Sequence, residues 1–123
     1  MAKILLVEDD PILLKFYHRL FENQKSDNQV TLASGGQAAL DIFTKQDFDL
    51  IALDVMMPVM NGIQVLEKIK ATPKGKDVTV VMLTAFSDSG MVAECVKKGA
   101  TGFIIKSEVE PEKLMVALEG YFK

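Results

Sequence analysis

Glu8 and Asp9, Asp54, Thr84 and Lys106 each stand just after a short apolar run: Lys3–Val7, Asp49–Leu53, Val78–Leu83 and Gly102–Ile105 in turn. If those runs are neighbouring strands, three carboxylates, a hydroxyl and an ammonium meet on one rim. Crowded carboxylates repel, and each resists ionising unless a cation offsets the charge. A hard divalent ion answers that need. Mg²⁺ prefers oxygen donors, keeps several waters and binds protein through one or two carboxylates together with a phosphate. Asp9, Asp54 and the backbone carbonyl of Met56 are the expected direct donors, with Glu8 acting through water. Taken singly, each residue has a plainer use, since a strand-end Asp or Thr commonly closes a turn on nearby backbone. Their joint placement is what points to chemistry on a phosphate. Asp10 keeps the plainer use, because Asp10-Pro11 is a good helix N-cap and first-turn pair.

The elements that position these residues follow from periodicity. Past the acids, Pro11 opens a segment with apolar side chains at Leu13, Phe16, Tyr17 and Leu20, a helical spacing. The alternation then continues with strand Gln29–Ala33, helix Gln37–Thr44, strand Asp49–Leu53, helix Gly62–Lys70, strand Val78–Leu83, helix Ser89–Lys98, strand Gly102–Ile105 and helix Glu112–Tyr121. Five strands alternating with five helices predict a doubly wound α/β fold, a five-stranded parallel sheet with right-handed crossovers and both faces covered. Ligands of such sheets bind beyond the carboxyl ends of the strands. The acids, Thr84 and Lys106 all fall there.

At 123 residues the chain is expected to form a single domain, 1–123. With 49% hydrophobic and 25% charged residues it has the balance of a folded globular protein rather than a disordered one. A net charge of −3 argues against direct nucleic-acid binding, which needs a basic face. Cys95 is the lone cysteine, so no internal disulfide is possible. No segment reads as a secretion signal, and the apolar runs are far shorter than the ~20 residues of a membrane span. A cytoplasmic protein without membrane insertion is expected.

The segments Leu5-Leu6-Val7-Glu8-Asp9-Asp10-Pro11, Leu53-Asp54-Val55-Met56-Met57-Pro58 with Asn61-Gly62, Leu83-Thr84-Ala85, and Lys98-Gly99-Ala100 through Phe103-Ile104-Ile105-Lys106 resemble the signature blocks of response-regulator receiver domains. They occur in family order over the whole chain. The resemblance implies a (βα)5, flavodoxin-like fold with strand order 2-1-3-4-5, as in chemotaxis members of this family. It also implies that Asp54 accepts a phosphoryl group from a sensor histidine kinase or histidine phosphotransfer protein. Glu8 and Asp9 would hold Mg²⁺, Lys106 would pair with a phosphate oxygen and Thr84 would donate its hydroxyl to another. Phe103 falls at the switch-aromatic position and is expected to turn inward as Thr84 moves. Helix 4, strand 5 and helix 5 would then show a changed face to a downstream protein. The implied role is regulatory, its chemistry confined to the protein's own phosphorylation and dephosphorylation.

The chain departs from the family pattern at Ser107, where proline commonly follows the lysine. A cis bond without proline costs ~2.5–4 kcal/mol, so a trans Lys106–Ser107 bond is expected. Met56 and Phe86 are apolar where fast-dephosphorylating receivers often carry polar groups, which predicts a long-lived phosphoryl group. Three rival readings remain. A haloacid-dehalogenase-like phosphatase needs a second Asp two residues after the first, and that position is Met56. A flavin module needs a phosphate-cradling loop where Glu8-Asp9-Asp10 stand. A receiver-like interaction module that acts without phosphorylation is the third, and Ser107 leaves room for it.

Overall fold

The computed structural model describes residues 2–23, 27–85 and 88–121. Its elements are β1 (Lys3–Val7), α1 (Pro11–Asn23), β2 (Gln29–Ala33), α2 (Gly36–Lys45), β3 (Leu50–Asp54), α3 (Gly62–Lys70), β4 (Thr79–Thr84), α4 (Ser89–Lys97), β5 (Gly102–Ile105) and α5 (Leu114–Glu119). Single 3₁₀ turns at Lys106–Glu108 and Pro111–Lys113 lead into α5. The strands form one parallel sheet in the order β2-β1-β3-β4-β5. This is the flavodoxin-like doubly wound arrangement.

The apolar runs are continuous because successive side chains enter different cores. Leu5, Val7, Ile51, Leu53, Val80 and Met82 pack on one face against Phe43 of α2, Val65, Leu66 and Ile69 of α3, and Cys95 of α4. Ile4, Leu6, Leu50, Ala52, Val81 and Leu83 pack on the other against Tyr17 of α1 and Leu114, Met115 and Leu118 of α5. Each strand is thereby clamped from both sides, and its carboxyl end is held at a fixed height along the sheet.

Several boundaries differ from those read in the sequence. β3 and β4 run one residue further, taking in Asp54 and Thr84, because Asp54 pairs with Leu83 and Thr84 with Ile105. Asp49 lies outside β3, and its carboxylate accepts the Lys3 N–H at 2.8 Å. The last helix is shorter than Glu112–Tyr121. Pro111 starts a 3₁₀ turn, and α-helical hydrogen bonding begins only at Leu114. Asp10 caps α1 as expected, its Oδ1 accepting the Ile12 N–H at 2.9 Å.

The loop from β3 to α3 is built tightly around the end of β3. A Cβ at Gly62 would collide with the Asp54 backbone carbonyl, so only glycine fits there. Asn61 and Gln64 close a reciprocal capping box over the start of α3, each hydrogen bond 2.9 Å long. Val59, between them and Asp54, has φ of 67°, left-handed backbone that a β-branched residue adopts only under strain. Its side chain is fully exposed and packs on nothing that would compensate. Val59→Gly should therefore raise stability by about 0.5–1 kcal/mol, net of the extra freedom glycine gives the unfolded chain. Urea unfolding at neutral pH checks this, and a loss of stability would show that the strain is absent.

Candidate functional site

The register sets the site. Val7 pairs with Leu53, so Glu8 follows on β1 beside Asp54 on β3, and Thr84 on β4 pairs with Ile105 just before Lys106. Glu8 is held by its own amide, which donates to the Ala33 carbonyl at 3.0 Å and extends the β1–β2 pairing by one step. Glu8, Asp54 and Thr84 are the buried polar or charged side chains among the described residues. Buried charge needs a partner, and here Lys106 supplies it.

Lys106 Nζ lies 2.6 Å from Glu8 Oε1 and 3.2 Å from Asp54 Oδ2. The second Glu8 oxygen accepts the Asp10 N–H at 3.2 Å, and Asp54 Oδ1 accepts the Met56 N–H at 3.3 Å. Glu8, Asp9 and Asp54 each offer a carboxylate oxygen, all within 4.8 Å of one another. One ammonium against three acids leaves the cluster short of positive charge. Burial first, then the charge of Glu8, pushes the Asp54 carboxyl up to about 7 against the pull of Lys106. For Lys106, burial works against the charged form, but the hydrogen bond to Glu8 and the charges of Asp54 and Glu8 outweigh it and hold the ammonium above its usual range. An all-oxygen donor set, part-buried and lacking positive charge, fits a hard divalent cation.

The residues singled out in the sequence are thus placed as follows. Glu8, Asp9, Asp54 and Lys106 come together, and Thr84 lies wholly buried at the end of the adjacent strand. The Met56 backbone reaches Asp54 through its N–H, while its side chain points out and is largely exposed. Phe103 is half-buried against the α2–α4 face, and its carbonyl accepts the Tyr121 hydroxyl at 3.4 Å. Phe86 lies outside the described residues. Among the described residues no peptide bond is cis, so Lys106–Ser107 is trans. His18 sits on the exposed side of α1, 3.6 Å from Glu22.

Two further features belong to the surroundings of the site: Tyr17, which was not singled out in the sequence, and a contact of Ser107, whose partner the sequence did not show. Tyr17 is buried beneath it; burial raises its phenol, and Lys106, Glu8 and Asp54 are the charges that act on it. Its place seven residues after Asp10 on the inward side of α1 was the available signal. The Ser107 hydroxyl reaches across to the Ala85 carbonyl at 3.4 Å. No sequence pattern announces that contact.

A flavodoxin-like sheet with an acidic triad and a lysine at its carboxyl rim defines a class, and comparison with known proteins gives the family. The model for the response regulator receiver domain matches residues 4–119, and the chain belongs to that family, the receiver domains of two-component signalling. It is 31% identical to the chemotaxis protein CheY of Listeria monocytogenes over 97% of both chains. It is 33% identical to the nitrate/nitrite response regulator NarL of Escherichia coli, covering 95% of this chain and 53% of that one. The chain spans about half the length of NarL and 47% of the Bacillus subtilis regulator LnrK. Among solved structures, the Vibrio cholerae chemotaxis protein CheY4 superposes with a TM-score of 0.87 at 30% identity over 98% of both chains. The receiver domain of the Pseudomonas aeruginosa sensor histidine kinase PA1611, which holds a magnesium ion in its active-site cleft, superposes at 0.81 with 27% identity over 98% of this chain and 96% of that one.

Proposed function

We propose that Asp54 accepts a phosphoryl group from a phosphohistidine on a sensor kinase or histidine phosphotransfer protein. The observation that carries this reading is the part-buried cluster of Glu8, Asp9 and Asp54, with Lys106 paired to Glu8 and Asp54. A carboxylate oxygen of Asp54 forms the new bond to phosphorus as the phosphorus–nitrogen bond of the donor breaks, and the electron pair leaves with the imidazole. Lys106, already 3.2 Å from Asp54 Oδ2, pairs with a phosphoryl oxygen, and Thr84 donates its hydroxyl to another. Asp9 and Asp54, with the Met56 carbonyl and with Glu8 through water, would hold Mg²⁺. When bound, that ion neutralises charge on the phosphoryl oxygens. The Mg²⁺-bound PA1611 receiver domain and a BeF₃-activated DrrB receiver domain, 27% identical to this chain, support the reading.

Drawing Thr84 to the phosphoryl group vacates space that Phe103 fills, and the surface of α4, β5 and α5 changes for a downstream partner. Exposed Val96 on α4 and Val116 on α5 give that face an apolar component suited to protein contact. No helix among the described residues is long and apolar enough to cross a membrane. A single regulatory domain over 1–123, working in the cytoplasm, is the accompanying proposal.

Incubation with radiolabelled acetyl phosphate tests the reading. Label should appear with Mg²⁺ and not with EDTA, and equal labelling in both would contradict it. Met56 brings no polar side chain to orient a water, so label should persist for minutes or longer once the donor is removed. Loss within seconds would refute that part.

A further inference from the structure

The β4–β5 ladder ends at the pair Thr84 and Ile105. Beyond it the chain divides into two segments, one following Thr84 into α4 and one following Lys106 toward α5. Among the described hydrogen bonds of the turns and loops beyond it, Val92 donates to Asp88 on one side, and Val109 to Lys106 and Lys113 to Glu110 on the other. Ser107 crosses between them. Its Oγ donates to the Ala85 carbonyl at 3.4 Å; Ser107 directly follows Lys106 in the chain, and Ala85 directly follows Thr84.

We infer that Ser107 is a positioning residue that sets Thr84 and Lys106 relative to each other by tying their two segments together past the end of the ladder. This rests on the reading of Asp54 as phosphoacceptor. Thr84 and Lys106 are to meet two oxygens of one phosphoryl group, so the spacing between their strand ends matters to the transfer. An ångström of slack in such a pair is enough to slow a reaction governed by positioning. The bond is long and both its ends are exposed, so it adds little to folding. Its loss should register in the site and leave the melting curve unmoved.

The test compares wild type with Ser107→Ala and Ser107→Thr. Phosphorylation from acetyl phosphate is followed by intact mass over a range of donor concentrations in saturating Mg²⁺, beside thermal melts. Ser107→Ala should lower the maximal rate by about threefold to tenfold with an unchanged half-saturating donor concentration, and threonine, which keeps the hydroxyl, should restore it. Melting midpoints should agree among all three proteins. Equal rates in wild type and Ser107→Ala would overturn the inference while leaving Asp54 as acceptor. So would failure of threonine to rescue a slow alanine variant, or a rate loss that tracks a fall in melting midpoint. A wild type that takes no phosphoryl group would overturn the acceptor reading and this inference with it.

Discussion

In metal-free solution the protein is expected to lose stability as the pH rises from about 5 to about 8, and the Asp54→Asn variant is expected to lose much less. The Asp54 carboxyl moves from an ordinary value of 3.8 to about 7 in the fold, because burial and the neighbouring Glu8 disfavour its charge. Raised in the folded state, it binds a proton more tightly there than in the unfolded chain. Its contribution is complete below 3.8 and is lost as the pH climbs through about 7. The part lost between about pH 5 and about pH 8 is roughly 3 kcal/mol. Lys106, held above 10.5, keeps its proton throughout that window and contributes a constant amount. Asparagine cannot ionise, so this slope should disappear from the variant. Bound Mg²⁺ should oppose the loss, adding about 2.7 kcal/mol at a hundredfold excess over its Kd. Urea unfolding in EDTA at the two pH values checks the sign; equal slopes for wild type and variant would contradict it.

The second large effect is expected from Lys106→Met. Methionine keeps much of the apolar stem and removes the ammonium that touches Glu8 Oε1 at 2.6 Å and Asp54 Oδ2 at 3.2 Å. Glu8 is 1% exposed, so its charge has no water to fall back on. Breaking a buried ion pair from one side commonly costs about 3–5 kcal/mol, because the remaining charge stays buried and unpaired. Here two acids are left. Without metal at pH about 8, the variant should therefore be destabilised by roughly that amount, and saturating Mg²⁺ should recover a large part of it. The same urea series with and without Mg²⁺ measures both. A variant as stable as wild type in EDTA would show that the lysine does not neutralise the cluster.

The fold was legible in the sequence because each strand is a continuous apolar run and each helix an amphipathic one, a contrast that two-sided burial imposes. The misplaced ends have local causes. Asp54 and Thr84 look like loop residues by type, yet their backbones still pair with β4 and β5. Glu112 and Lys113 look helical, but Pro111 opens a 3₁₀ turn before α5. Strand order was different in kind: alternation predicts a parallel sheet, and the order 2-1-3-4-5 came from family resemblance.

For the site, strand-end placement put Glu8, Asp9, Asp54 and Lys106 on one rim, and the strand order implied by the resemblance brought them together there. Their partners were not legible. That Glu8 divides its oxygens between Lys106 and the Asp10 amide depends on side-chain reach, which residue spacing does not encode. The left-handed Val59 and the Ser107–Ala85 contact were hidden too, since a valine gives no sign of left-handed backbone and a loop serine does not name its partner. Phe103 was marked as the switch aromatic by its position. Its half-buried packing against the α2–α4 face is a property of the folded chain alone.

Intact mass spectrometry of wild type and Asp54→Ala after incubation with acetyl phosphate and Mg²⁺ tests the central claim most directly. Wild type should gain the mass of one phosphoryl group, and Asp54→Ala should gain none. An equal adduct on both proteins would mean that Asp54 is not the acceptor.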